Sequence, residues 1–178
     1  MLMYIIAAAV GLVALGFVWG LLHLRQSQKR AYEEIAKVEL GAISALAHAC
    51  VAGFKQHFDE TLDLDRFEET AQVFSKRLDQ HETLKKAFAE EDFYWKFVLP
   101  TGAFLGEMLR RHAGARWVAG DDGGGPAMKI PVGDGEATTY PFDKIMKHVT
   151  TGYPGDMYAF LKTSLTLEKA LKASGETA

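Results

Sequence analysis

The first 24 positions, Met1 to Leu24, form one apolar run with no charged side chain, and Arg25, Lys29 and Arg30 follow it closely. An α-helix of about 20 apolar residues crosses the hydrocarbon core of a bilayer, and basic residues beside a span stay on the cytoplasmic side. The run is therefore expected to be a transmembrane anchor in a bacterial inner membrane, with Arg25, Lys29 and Arg30 setting its topology. Its uncharged start and the lack of an A-x-A-like end argue against a cleaved signal. Residues 25–30 would be a basic juxtamembrane segment, 31–173 a cytosolic domain, and 174–178 a frayed tail. Ala9, Gly16 and Gly20 place small residues on nearly one face of the span, where another helix could approach. His23 is expected at the interface, since no second haem ligand is positioned near it.

Beyond the anchor the pattern turns amphipathic. Ile35, Val38, Ala42, Ile43, Leu46, Cys50, Phe54 and Phe58 recur at three- and four-residue steps with no proline from Gln28 to Phe58, which predicts one long helix. A second helix should begin near Asp63 or Asp65, where Asp65 and Glu68 make a capping pattern and Leu64, Phe67, Ala71, Phe74 and Leu78 form the buried stripe. A third is expected over Glu82 to Lys96 and carries the aromatic run Phe93 to Phe97. Pro100 then opens a helix with Leu105, Met108, Leu109 and His112 on one side. Gly102 and Gly106 make a smooth strip on it for a neighbouring helix or strand, and Gly114 stops it.

The period changes after Gly114. Arg116-Trp117-Val118, Met128 to Val132 and Ala137 to Phe142 are short β-like runs, with Asp134-Gly135 as a hairpin turn between the last two. Helical spacing returns with Phe142, Ile145, Met146 and Val149, halts at Gly152, and resumes from about Pro154 toward Leu171. The order predicts an α+β fold, with a helical segment and a small three-stranded antiparallel sheet flanked by helices.

Three stretches carry a resemblance. Thr101 to His112 with Leu105-Gly106-Glu107, then Gly114-Ala115-Arg116-Trp117-Val118, then Tyr140-Pro141-Phe142-Asp143-Lys144-Ile145, resemble a group of uncharacterised bacterial domains over about residues 98–162. Their pattern is an L-G-x-x-L-G-E helix, a G-x-x-W strand and a Y-P-F-x-K step into a helix. This chain departs from it at the first leucine, having Pro100-Thr101-Gly102. The resemblance implies an α+β fold of this order and supplies no catalytic residues.

Composition narrows the chemistry. The formal charge of −3 is spread over interspersed acids and bases with no basic stripe, so nothing recommends a nucleic acid partner. Cys50, the only cysteine, lies on an apolar stripe and is expected to be buried and inert. No nucleophile elbow, zinc motif, phosphate loop or dinucleotide fingerprint is present, and no cofactor is expected. Asp121 to Pro126 reads as a hairpin loop, and Asp59 to Asp65 as a helix-capping turn because Leu64 stands where a calcium loop needs glycine.

One polar constellation remains: Glu107, Arg110, Arg111 and His112 on one helix, joined by Lys144 or Asp143. A carboxylate near guanidinium and imidazole could bind an anion or move a proton. A packed ion pair tying helix to sheet under Trp117 needs less, since one good Arg partner suffices to hold Glu107. The expected function is accordingly protein binding, as an accessory or assembly subunit of a membrane complex. A tethered adaptor or immunity-type module for a soluble partner is a second expectation. A membrane-bound enzyme using Glu107 is a third.

Overall fold

The computed structural model describes residues 29, 30, 32–80, 94–121, 125–151 and 157–175. Helices α1 (Ile43–Phe58) and α2 (Phe67–Leu78) precede a central helix α3 (Leu99–His112). Strands β1 (Arg116–Ala119), β2 (Pro126–Val132) and β3 (Gly135–Thr139) follow. Helices α4 (Pro141–Thr151) and α5 (Met157–Gly175) come after the sheet. The α+β order with one three-stranded antiparallel sheet is as the pattern predicts.

The membrane anchor is not upheld. Among the described residues no helix is long and apolar enough to cross a membrane. Even α5, at 19 residues, carries Lys162, Glu168, Lys169 and Lys172. Met1 to Leu24, with Ala9, Gly16, Gly20 and His23, and Arg25 beyond it, lies outside the described residues. The transmembrane helix and the single-pass inner-membrane location are therefore withdrawn. Of the supposed topology residues that are described, Arg30 is exposed and Lys29 sits 3.8 Å from Glu33, an ordinary exposed helical pair.

The core is built around α3, whose residues Leu99 to Leu109 are all buried. Helix α1 covers one side of it, and the sheet and α4 contact it as well. An aromatic ladder joins α1, α2 and α3: Phe58 meets Phe54 edge-on at 5.2 Å, Phe54 stacks on Phe74 at 5.9 Å, and Phe74 tilts onto Phe104 at 5.2 Å. Each such pair adds about 1 kcal/mol beyond its buried area. Cys50 is buried between these helices with a hydrogen bond to the Thr101 side chain; burial pushes its thiol up to about 12, so it stays protonated.

The long helix expected from Gln28 breaks in two. Residues 32–36 are helical, Glu39 is extended, and Leu40–Ala42 form a 3₁₀ turn before α1. The break lets Ile35 turn down and become buried at 3 % exposure, with its carbonyl oxygen 2.6 Å from where a Cβ on Gly125 would sit. Burial of an Ile side chain, about 2 kcal/mol, outweighs continuing a helix through Gly41, a poor helix former. Tyr32 extends the clasp by donating to Asp143 Oδ1 at 2.8 Å. Burial and that bond push the Tyr32 phenol up to about 12.

The capping pattern at Asp65 and Glu68 does not form. Arg66 precedes α2 and makes no side-chain cap. Asp63 Oδ1 accepts from the Asp65 N–H at 2.9 Å, while the Thr70 hydroxyl donates to the Asp63 carbonyl at 2.7 Å. Glu68 instead receives Tyr158 and Lys162 from α5. The expected helix over Glu82 to Lys96 lies mostly outside the described residues. Its visible end, Tyr94–Val98, is a π-helical turn that runs into α3, where Pro100 sits in the first turn.

The hairpin differs by one residue. Val132 pairs with Gly135, so the turn is Gly133-Asp134, not Asp134-Gly135. Gly133 has φ 58° and Asp134 is not among the positive-φ residues, which defines a type II′ turn with glycine at its first central position. The register follows: Met128 and Ile130, buried, lie opposite Thr139 and Ala137, and a one-residue slip would turn both outward.

Candidate functional site

Helix α3 presents Glu107 on the face toward β1. Its residue exposure is 6 %, and every bond it makes is accounted for by two neighbours. Arg110, one turn on, donates from Nε to both carboxylate oxygens at 3.0 Å and from Nη2 to Oε2 at 2.8 Å. Trp117 on β1 donates its indole Nε1–H to Oε1 at 3.0 Å. Trp117 reaches that far because Gly106 has no side chain; a Cβ there would fall inside the indole ring. At Gly102, one turn earlier, a Cβ would come 2.5 Å from Phe142 Cδ1, and Phe142 in turn lies 5.9 Å from the Trp117 ring. The smooth strip on α3 thus seats one aromatic from the sheet and one from α4.

Burial works to raise the Glu107 pKa, but hydrogen bonds from Arg110 and Trp117, with the charges of Arg110 and Arg111, outweigh it and hold the carboxyl below its usual range. Arg110 is correspondingly raised, chiefly by its bond to Glu107. A carboxylate whose oxygens are occupied and whose ionised form is favoured is a poor proton acceptor near neutral pH. The arrangement ties α3 to β1.

The remaining members of the constellation go elsewhere. Arg111 pairs with Asp65, and His112 Nε2 lies 2.7 Å from the Leu64 carbonyl, so that nitrogen carries the proton. His112 also meets the Phe67 ring edge-on at 5.2 Å. These two residues pin the end of α3 to the loop before α2. Gly114, with φ 62°, lets the chain leave the helix there while the Ala113 N–H returns to the Leu109 carbonyl. Lys144 stands over the Phe160 ring at 4.6 Å, and Asp143 joins Tyr32 and Lys147. One predicted cluster is therefore four separate ties. The Trp117 hydrogen bond had no sequence signal beyond the G-x-x-W spacing.

Among the described residues no group of three or more His, Cys, Asp and Glu side chains could hold a metal ion. Sequence reasoning passed over a second surface, the outer edge of β3. The turn closes on Val132 and Gly135, which in a two-residue hairpin exchange both backbone bonds. By alternation Gly135, Ala137 and Thr139 direct their N–H and C=O toward β2, and Glu136 and Thr138 direct theirs away from it. Gly135 to Ala137 and Thr138 are exposed and Thr139 is half-buried. The same alternation explains both prolines of β2: Pro131 lies beyond Lys129, where pairing with β1 begins, and Pro126 lies beyond Met128, where pairing with β3 ends.

On the outer face of the sheet, Lys129 Nζ donates to Thr138 Oγ1 at 2.7 Å and Arg116 Nη2 donates to Glu136 Oε2 at 2.9 Å. A small cleft of about 350 Å³ lies at the other side of the sheet, between Val38 to Leu40 and the ends of β1 and β2.

Compared with known proteins, the chain matches no curated protein and no solved structure. Residues 79–160, which contain α3, the sheet and α4, match the model of a family described as a domain of unknown function, DUF3806.

Proposed function

We propose that this chain is a protein-binding subunit of the accessory or adaptor kind, and that its partner docks on the free edge of β3. The observation that carries the proposal is the outward N–H and C=O of Glu136 and Thr138 on an exposed strand. Such groups are a template for strand addition, in which backbone hydrogen bonds supply affinity. The strand has no proline and no bulge, and its one charged residue is already neutralised by Arg116. We further take the L-G-E, G-x-x-W and Y-P-F landmarks as the signature of the family-matched unit, because Gly106, Glu107, Trp117 and Phe142 meet in one place. That knot braces α3 against β1 and holds the sheet rigid for docking.

The test is affinity purification with wild type, Thr138→Pro and Thr138→Ala as baits, partners identified by mass spectrometry and then re-tested as purified proteins. Proline removes an outward N–H without breaking a bond to β2, whereas alanine keeps it. The expected result is a partner held by wild type and Thr138→Ala and weakened about tenfold or more by Thr138→Pro, as for loss of 1.4 kcal/mol. Equal binding by all three would overturn the docking edge.

A further inference from the structure

We infer that the partner at β3 is a second copy of this chain, paired antiparallel through a two-fold axis at Ala137; the inference rests on β3 being the docking edge. The outward groups belong to Glu136 and Thr138, on either side of Ala137. Setting Glu136 of one copy opposite Thr138 of the other satisfies all of them in two closely spaced pairs, and leaves Ala137 facing its own counterpart in a non-hydrogen-bonded pair. Gly135, Ala137 and Thr139 are small, so no bulky side chain opposes another at the seam.

The outer-face side chains are complementary in this register. Thr138 Oγ1 accepts from Lys129 Nζ, which leaves its O–H free to donate across the seam to the Glu136 carboxylate of the second copy. Each Glu136 is already paired with its own Arg116 at 2.9 Å, so two like charges are not brought together uncompensated. The row across the joined sheets reads Arg116, Lys129, Thr138, then Glu136 of the second copy, cations leading to an anion. One five-residue strand per copy makes an interface at the small end of the range, so the expected dimer is weak and reversible.

The full chain tests this directly. Ala137→Cys puts thiols face to face in the pair geometry that accepts a disulfide. Cys50, buried with its thiol pushed up to about 12, stays out of the reaction. Under mild oxidation Ala137→Cys should give a disulfide-linked dimer on a non-reducing gel, and Ala137→Cys with Thr138→Pro should lose most of it. Sedimentation of the wild type should show a reversible dimer that Thr138→Pro shifts at least tenfold. A wild type that stays monomeric to about 1 mM, with no cross-link above that of the double variant, overturns the second-copy inference. If a heterologous partner is then still lost with Thr138→Pro, the docking edge stands; if no binding responds to Thr138→Pro, both fail.

Discussion

Glu107 and Glu136 are each held by an arginine, and their surroundings make them opposites. Glu107 on α3 has a side chain 8 % exposed and is closed in by Arg110 and Trp117. Glu136 on β3 has a side chain 41 % exposed and leaves its backbone polar groups pointing outward. The first pair fixes an internal junction, and the second decorates an edge with capacity to spare. Burial, not residue chemistry, separates the carboxylate that locks a junction from the one that stands at an edge.

The largest expected effect is Trp117→Ala, which deletes a packed indole and strands a Glu107 oxygen; it should cost about 3 kcal/mol in urea unfolding. A stable Trp117→Ala would mean that the junction does not brace the sheet. Gly106→Ala follows at about 2 kcal/mol, since the indole must move. Its control is Gly53→Ala in α1, where a Cβ meets nothing and helix propensity should add a few tenths to about 1 kcal/mol of stability.

Glu107→Gln should cost about 1 kcal/mol at pH 7. A carboxyl held below its unfolded value contributes stability above that value and loses it as pH falls through the folded one. The gap between wild type and Glu107→Gln should therefore close as pH drops below 4.5, the group's ordinary value. A gap that persists unchanged in acid would mean the loss is steric. Smallest of all, Glu136→Gln should change unfolding by less than about 0.5 kcal/mol, as exposed pairs do. A larger loss would erase the contrast between the two pairs.

Much of the architecture was legible because period and punctuation agree locally. The change of spacing after Gly114, the glycines at 102 and 106, and the Pro141-Phe142 step each report a constraint felt within a few residues. What was not legible depends on partners far along the chain. The break before α1 exists because Ile35 finds Gly125, and Glu68 leaves its capping role because α5 brings Tyr158 and Lys162 to it. The hairpin misread was a local tie: Gly133-Asp134-Gly135 offers two turns, and only the burial of Met128 and Ile130 chooses between them. The polar constellation looked like one site because a helix lists Glu107, Arg110, Arg111 and His112 in succession while turning them toward different neighbours. Hydropathy alone suggested a spanning anchor in Met1 to Leu24, and no described helix meets that requirement.

The clasp between Tyr32 and Asp143 joins residues 111 positions apart. Closing a loop of that length in an unfolded chain costs on the order of 4 kcal/mol in entropy, far more than one exposed hydrogen bond returns. The clasp becomes affordable only after the helices and sheet have drawn its two halves together. It is thus a late event in folding and an early casualty of unfolding, and amide exchange near Ile35 would mark the last step toward the native state.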